Sequence, residues 1–360
     1  MHGHPNAPRL TFDRAPRRVY WEVTRACDLA CRHCRAEAVP RRHPRELATV
    51  EGLHLLESLS AFGDPKPHVI LTGGDPFKRP DLRVLIAAAS GLGLPVSVAP
   101  SATPLLDARE IRHLKATGVA AISLSLDGST PDRHDAFRGV AGTFERTLVA
   151  ARVARDADLP FQINTLVAEE TLDDLPAIYL LATELGAARW SLFFLVSVGR
   201  GTVLEQITPG AAEDVMQWLA ELARRGGRPV VTTTEAPHFR RVMLQRRQFA
   251  THGHAAGIRD GNGIMFISHT GDVHPSGFLP FSAGNVRTDD VVSIYRDAPL
   301  FRRLRRPESF TGRCGRCEFH SYCGGSRARA YAASGDPFSE DPLCAYQPRR
   351  AAAPSLQEAI

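Results

Sequence analysis

The seven cysteine residues of this 360-residue chain form two separate groups and leave none over. Three stand near the beginning of the chain and four near its end. They are Cys27, Cys31 and Cys34, followed by Cys314, Cys317, Cys323 and Cys344. Disulfides fit this pattern poorly, because one group has an odd number of thiols and the first residues lack the apolar segment of an export signal. We therefore expect two metal or iron–sulfur sites.

The first group directly follows a predicted strand and has the spacing C-x3-C-x2-C. Three thiolates on one short loop can bind three irons of a [4Fe–4S] cube and leave the fourth iron without a protein ligand. That open iron can bind a cofactor or a substrate. The alternatives are a zinc site, which would need a fourth ligand such as His33, and buried structural thiols.

The second group has the spacing C-x2-C-x5-C-x20-C. Four soft ligands can complete the coordination of a full iron–sulfur cluster or of a structural zinc ion. The spacing alone does not decide between them.

Six short β-rich runs alternate with segments of helical apolar spacing up to about residue 200. The runs are 18–24, 68–72, 95–99, 120–126, 161–167 and 190–196. This alternation predicts an α/β fold with right-handed βαβ units and a parallel sheet. The chemistry of such folds lies where strands end and loops begin. Beyond residue 200 the rhythm breaks, with a helical segment near 211–225 and a hairpin-like run at 264–274.

Polar residues that could bind a ligand stand at the ends of two predicted strands and within a third. The run Thr72-Gly73-Gly74-Asp75-Pro76 offers backbone that a ligand can approach closely, although the same residues make good turns. Ser125 stands at the end of the fourth run and Asn164 within the fifth, where a helix cap and a satisfied core amide are the plain alternatives.

The composition is that of an ordinary globular protein, with 43% apolar and 23% charged residues. The net charge of +5 is spread along the chain, and no nucleic-acid module is present. We expect a cytoplasmic protein that binds neither nucleic acid nor membrane.

The run WEVTRACDLACRHC resembles the signature of the radical S-adenosylmethionine (SAM) superfamily. The resemblance implies that the first cysteine group carries the [4Fe–4S] cluster that binds SAM. It also implies SAM contacts from His33, near the adenine, from Gly73, Gly74 and Asp75, near the amino group, and from Ser125 and Arg138. Arg138 offers a planar fork for a carboxylate, and Asn164 is expected to face the barrel mouth.

The cysteine-rich tail resembles the SPASM or twitch extension of these enzymes, which implies an auxiliary [4Fe–4S] cluster rather than zinc. Ser276 and Ser326 stand where many SPASM members carry further cysteines, so one auxiliary cluster is expected. The implied fold is a partial (β/α)6 TIM-like barrel over 16–200, a linker with a helix over 201–254, and a small iron–sulfur domain over 255–348.

The implied function is a radical SAM oxidoreductase. It would reductively cleave SAM to a 5′-deoxyadenosyl radical, with flavodoxin or ferredoxin as electron donor, and oxidise a small molecule or a peptide. The segments 323–331 and 340–344 look closest to enzymes of heme d1 and alternative heme synthesis, which modify tetrapyrrole side chains. Peptide maturases share the architecture. A non-catalytic iron–sulfur or zinc electron-transfer protein is the alternative of another class, and no catalytic acid or base is identified.

Overall fold

The computed structural model describes residues 11–247 and 257–349. The predicted boundary near residue 255 lies outside these ranges. Within them, no helix is both long enough and apolar enough to cross a membrane.

Seven parallel strands form the body of one sheet, side by side in the order in which they occur in the chain. They are β1 (Arg18–Thr24), β2 (His68–Gly73), β3 (Val96–Val98), β4 (Ala121–Ser125), β5 (Phe161–Val167), β6 (Arg189–Phe194) and β7 (Val230–Thr234). Each of the first six is connected to the next through at least one helix, which is the expected βαβ pattern.

Three further strands extend the sheet beyond β1. They are β8 (Arg259–Asp260), β9 (Gly263–Ile267) and β10 (Val273–His274). β9 lies parallel to β1, and β10 returns antiparallel to β9, which confirms the predicted hairpin-like run. The segment after the barrel is therefore hydrogen-bonded to the barrel's first strand.

The helices cover the outer face of the sheet and build the cysteine-rich tail. They are α1 (Thr49–Ser60), α2 (Leu82–Gly91), α3 (Ala108–Ala116), α4 (Pro131–Arg138), α5 (Thr143–Asp156), α6 (Leu175–Leu185), α7 (Pro209–Arg225), α8 (Phe239–Gln245), α9 (Val291–Asp297), α10 (Pro299–Leu304), α11 (Gly312–Arg316) and α12 (Arg327–Ser334). The tail has only short helices joined by turns, so its cysteines lie on irregular backbone.

The pleat of β1 separates two chemically different faces. Val19, Trp21 and Val23 are fully buried and belong to the core that the outer helices complete. The alternate residues point to the opposite, inner face, because side chains change sides at every step along a strand. Partly exposed polar residues of this inner face include Tyr20, Ser123, Ser125, Gln162, Asn164 and Thr232. The concave side therefore carries many polar residues, with partly exposed apolar residues such as Ile70 and Phe193 among them.

The six predicted strands are confirmed, and β1 and β5 have the predicted bounds. β7 was missed, because Val230–Thr234 fell inside the predicted linker. Its five consecutive β-branched residues were the available signal. The partial barrel with a small cysteine-rich tail is thus correct in outline, and its sheet is wider than predicted.

One buried arginine fastens the tail to the barrel. The side chain of Arg329, on α12, is fully buried and pairs with Asp341 at 3.1 Å. It also donates to the backbone carbonyls of Phe194 at 3.2 Å, Leu195 at 3.2 Å and Glu235 at 2.7 Å. These carbonyls stand at the carboxyl ends of β6 and β7, so one guanidinium connects the tail to two strands.

We expect Arg329→Met to lower the free energy of unfolding by roughly 3–5 kcal/mol, because it leaves the buried Asp341 charge without its partner. The midpoint of thermal unfolding of anaerobically purified protein measures this effect. The control is Arg83→Met: Arg83 is exposed on α2 and pairs with Glu110, so its loss should cost less than about 1 kcal/mol. Equal midpoints for the two variants would contradict the role given to Arg329.

Candidate active site

The first three cysteines lie on a loop, residues 25–39, that leaves the carboxyl end of β1. The loop closes on itself, since the Cys27 N–H donates to the Val39 carbonyl at 2.8 Å. It is also held from outside by the end of α4, where the Arg138 carbonyl accepts from the Ala30 N–H at 3.1 Å. The backbone of this cysteine loop is therefore held by its own closing hydrogen bond and by the end of α4.

Each of the three sulfurs accepts a hydrogen bond from nitrogen. The Cys27 and Cys34 sulfurs accept backbone N–H groups of the loop, each at 3.4 Å. The Cys31 sulfur accepts from the Arg138 guanidinium at 3.6 Å. N–H donors stabilise the negative charge of a thiolate and tune the potential of an iron–sulfur cluster. The donor set thus fits a group that binds three thiolates.

Burial raises the pKa of the Cys27 thiol. A metal that binds this sulfur must therefore displace a proton, and binding will weaken as the pH falls. Among the described residues, no three His, Cys, Asp or Glu side chains are grouped so that they could hold a metal ion. The thiols of a [4Fe–4S] cube bind separate irons and do not need to meet at one point.

Gly73 and Gly74 lie against the start of the cysteine loop. A Cβ on Gly73 would stand 2.1 Å from the Thr24 carbonyl oxygen, and one on Gly74 would stand 2.3 Å from that of Ala26. Both glycines are required because backbone meets backbone here. The adjacent Gly74 N–H donates to the Thr24 carbonyl at 2.8 Å, so the end of β2 and the cysteine loop form one unit.

Asp75 is fully buried beside these glycines. Its carboxylate accepts from the Thr103 hydroxyl at 2.7 Å and from the Phe77 N–H at 3.1 Å. Burial raises the pKa of Asp75, and these hydrogen bonds oppose that rise. Both carboxylate oxygens are engaged within the protein.

Arg138 is buried and forms an ion pair with Asp127, which follows β4. Burial opposes both charges, but their attraction outweighs it, so the pKa of Asp127 is lowered and that of Arg138 is raised. The Arg138 Nε is buried and has no hydrogen-bond partner among the described residues. The Arg138 guanidinium thus contacts both Asp127 and the Cys31 sulfur, and its Nε–H is still free to donate a hydrogen bond.

His33, the residue before Cys34, stacks on Phe137 with the ring centroids 5.1 Å apart. Burial, followed by the charge of Arg138, lowers the pKa of His33 to about 4. The imidazole is therefore neutral near pH 7, and it is partly exposed beside the loop.

Ser125 and Asn164 are register partners on β4 and β5. Both are partly exposed on the inner face. The Asn164 side-chain carbonyl accepts from Gln162 at 2.6 Å. The structure thus brings these two polar residues together on the surface that leads to the cysteine loop.

The second cysteine group lines one cavity in the tail, together with His238 and Arg241. Backbone N–H groups donate to the Cys314, Cys317 and Cys323 sulfurs, each at 3.4 Å. The Arg327 guanidinium adds a donor to Cys314 at 3.6 Å. Four thiols around one cavity, with N–H donors aimed at the sulfurs, fit a fully ligated iron–sulfur cluster.

Burial raises the pKa of the Cys317 and Cys323 thiols and raises the pKa of Cys344 to about 11. In the absence of metal these thiols hold their protons at neutral pH. Assembly of a metal group at this site therefore releases protons as well.

Ser276 and Ser326 are both buried. The Ser326 hydroxyl donates to Glu235 and accepts the Arg329 N–H at 3.0 Å, which caps α12. Burial raises the pKa of the neighbouring Asp260, and a hydrogen bond with Ser276 opposes this rise. These two serines are thus part of a network of buried carboxylates.

Sequence reasoning missed three residues that support the cysteines. The Ser101 hydroxyl lies 3.5 Å from the Cys27 sulfur and donates to the Gly74 carbonyl at 3.0 Å. The Arg200 guanidinium donates to the Cys31 carbonyl at 3.0 Å. Arg327, described above, serves Cys314. Ser101 and Arg200 are 74 and 169 residues from the cysteines that they serve, and Arg327 is 13 residues from Cys314.

Comparison with known proteins agrees with this geometry. Residues 21–182 match the family model described as the radical SAM superfamily. The AdoMet-dependent heme synthase of Nitratidesulfovibrio vulgaris is 41% identical over 97% of this chain and 99% of that protein. The Fe-coproporphyrin III synthase of Methanosarcina barkeri is 29% identical over 91% of this chain and 87% of that protein.

A solved structure has the same fold. Streptococcus suis SuiB bound to S-adenosylmethionine superimposes with a TM-score of 0.74 at 16% identity, covering 92% of this chain and 78% of that one. The similarity in sequence to the heme synthase spans nearly the whole of both proteins. The chain therefore belongs to the radical SAM superfamily, whose members are iron–sulfur enzymes that use a [4Fe–4S] cluster and SAM.

Proposed function

We propose that this enzyme oxidatively decarboxylates propionate side chains of a tetrapyrrole, with Fe-coproporphyrin III as substrate and heme as product. The observation that carries the proposal is the 41% identity, over 97% of the chain, to a protein named AdoMet-dependent heme synthase. Another relative is named for making Fe-coproporphyrin III. Heme differs from Fe-coproporphyrin III in having vinyl groups in place of two propionates. The product for which the Methanosarcina barkeri relative is named is therefore the chemical precursor of heme.

For each propionate, the atoms and the electrons of the reaction balance. The side chain loses one hydrogen atom, then loses its carboxylate as CO2 and gives up one electron, which leaves a vinyl group. The hydrogen atom goes to the 5′-deoxyadenosyl radical that a reduced cluster and SAM supply in this superfamily. The electron requires a one-electron acceptor, and a fully ligated iron–sulfur cluster has that chemistry.

We assign the SAM-binding cluster to Cys27, Cys31 and Cys34, because three thiolates leave one iron open. The auxiliary cluster is assigned to Cys314, Cys317, Cys323 and Cys344. The hydrogen bonds that the sulfurs receive support both assignments.

SAM contacts are assigned to the residues around the cysteine loop. His33 presents a neutral, partly exposed ring for the adenine, and Arg138 retains a free Nε donor. The segment Gly73, Gly74 and Asp75 is assigned to the amino group, because its backbone lies against the start of the cysteine loop. Ser125 and Asn164 continue this surface along the inner face.

The reductant is proposed to be flavodoxin or ferredoxin, since the reaction needs a one-electron donor of low potential. The cytoplasm remains the predicted location. No disulfide joins any of the seven cysteines, all of which lie in the described part of the chain, and this is compatible with a reducing compartment.

The two cysteine groups should be separable by experiment. Anaerobic protein should hold about eight irons per chain, if both groups carry [4Fe–4S] clusters. Changing Cys27, Cys31 and Cys34 to Ala should abolish 5′-deoxyadenosine formation with dithionite. The Cys314→Ala/Cys317→Ala variant should lose about half the iron but keep some substrate-independent SAM cleavage. Zinc in the tail site, or 5′-deoxyadenosine from the triple variant, would refute the corresponding assignment.

The proposed role of Arg138 in SAM binding can be tested without leaving a buried charge unpaired. The double variant Arg138→Gln/Asp127→Asn removes both charges and should weaken equilibrium SAM binding roughly tenfold, the effect of losing one charged hydrogen bond. The iron content should not change. Arg133→Gln is the matched control, because Arg133 is exposed on the same helix and pairs with Asp173. SAM affinity equal to that of the unmodified protein would remove Arg138 from the site.

The substrate assignment is tested by anaerobic incubation with SAM, dithionite and Fe-coproporphyrin III. We expect conversion of two propionates to vinyl groups, with 5′-deoxyadenosine and CO2 formed in step with heme. The inactive control is the triple cysteine variant. If the enzyme cleaves SAM but leaves the porphyrin intact, and modifies a precursor peptide instead, it acts as a peptide maturase.

A further inference from the structure

A buried histidine of the barrel part of the chain lines the cavity of the second cysteine group. His238 follows β7 and stands directly before Phe239, the first residue of α8. Its side chain is fully buried. The four cysteines of the tail line the same cavity. One imidazole from outside the tail therefore lies at the auxiliary site.

Neither ring nitrogen of His238 has a hydrogen-bond partner in the described part of the chain. The Asp341 carboxylate lies 3.9 Å from Nδ1, which is too long for an N–H···O hydrogen bond. That carboxylate is already engaged, since it accepts from Arg329 at 3.1 Å and from the Ser326 N–H at 2.8 Å. Within the described ranges, His238 is the one residue with two such buried and unpartnered polar side-chain atoms.

Packing does not explain why this residue is a histidine. The ring of Phe194, at the end of β6, meets the His238 ring at an interplanar angle of 65° with the centroids 6.3 Å apart. An apolar ring would fill this place as well. A buried polar group without a hydrogen bond destabilises a fold, so the two nitrogens of His238 carry a cost. A bound group that accepts a hydrogen bond in the cavity would remove that cost.

An iron–sulfur cluster held by the tail cysteines offers such acceptors. Four thiolates give each iron of a [4Fe–4S] cluster its protein ligand, so no iron is left for the imidazole. The sulfurs of the cluster can accept hydrogen bonds. An imidazole carries at least one N–H, whichever tautomer is present. The chemistry of the cavity therefore suits His238 as a hydrogen-bond donor and not as a ligand.

We propose that His238 donates a hydrogen bond to a sulfur of the auxiliary cluster and thereby raises its reduction potential. Hydrogen bonds to the sulfurs are among the factors that set the potential of such clusters. An N–H donor favours the reduced cluster, because reduction adds negative charge to it. The cluster then accepts more readily the electron that leaves the substrate. The inference rests on the auxiliary cluster of the proposed function, and it does not depend on the identity of the substrate.

The test compares His238→Phe with His238→Gln in the triple cysteine variant, in which the auxiliary cluster is the only cluster. Redox titration followed by electron paramagnetic resonance gives its midpoint potential. His238→Phe keeps the ring and removes the donor, so the equilibrium constant for reduction should fall about tenfold, or about 59 mV for one electron. His238→Gln keeps an N–H donor and should retain most of the potential. An unchanged potential in His238→Phe would overturn the proposal.

Two controls separate hydrogen bonding from assembly of the cluster. Iron content should be the same in both variants, because the cysteines supply all the iron ligands. His238→Leu repeats the test with a smaller apolar side chain, and loss of the iron from both apolar variants would overturn the donor role. His68→Phe should leave the potential unchanged, because His68 bonds to Ser97 at 2.8 Å and does not line the cavity.

A second measurement decides the hydrogen bond if the tail binds zinc. In that case the cluster assignment of the proposed function fails, but zinc-bound thiolates also accept hydrogen bonds. His238→Phe should then lower the midpoint of thermal unfolding of the metal-loaded protein. It should not lower that of the Cys314→Ala/Cys317→Ala variant, which lacks two of the thiols. An equal change in both proteins would show that His238 acts by packing alone and would refute the hydrogen bond.

Discussion

The position of the cysteine-rich tail on the barrel depends on the ion pair between Arg329 and Asp341. This pair is fully buried, and its guanidinium also satisfies carbonyls at the ends of β6 and β7. A buried charge is tolerated only where its partner and hydrogen bonds are complete. The tail is therefore anchored at the carboxyl ends of β6 and β7, and this anchor fixes where the second cysteine group stands relative to the barrel.

The first site depends in a similar way on backbone contacts between elements that are far apart in the chain. The end of α4 holds the cysteine loop from one side, and Gly73 and Gly74 meet it from the other. Arg138 connects Asp127 to the Cys31 sulfur within the same region. A change in any of these contacts would displace the thiols and the proposed SAM-binding surface together.

The inner face differs from the core of a closed barrel, where packed side chains fill the interior. Here many strand residues of that face are polar and partly exposed, among them Tyr20, Ser123, Gln162 and Asn164. The cysteine loop follows the carboxyl end of β1, at one end of this face.

The sequence by itself determined the two cysteine groups, the six alternating strands and the segments at the strand ends, because these depend on local spacing and periodicity. The sequence could also have predicted β7, since Val230–Thr234 is a run of β-branched residues. Only the tertiary structure decided which charges meet. Arg138 meets the Cys31 sulfur 107 residues away, and Arg329 donates to carbonyls that are 94 to 135 residues away. Such contacts follow from the curvature of the sheet and the docking of the tail, and no periodicity along the chain encodes them.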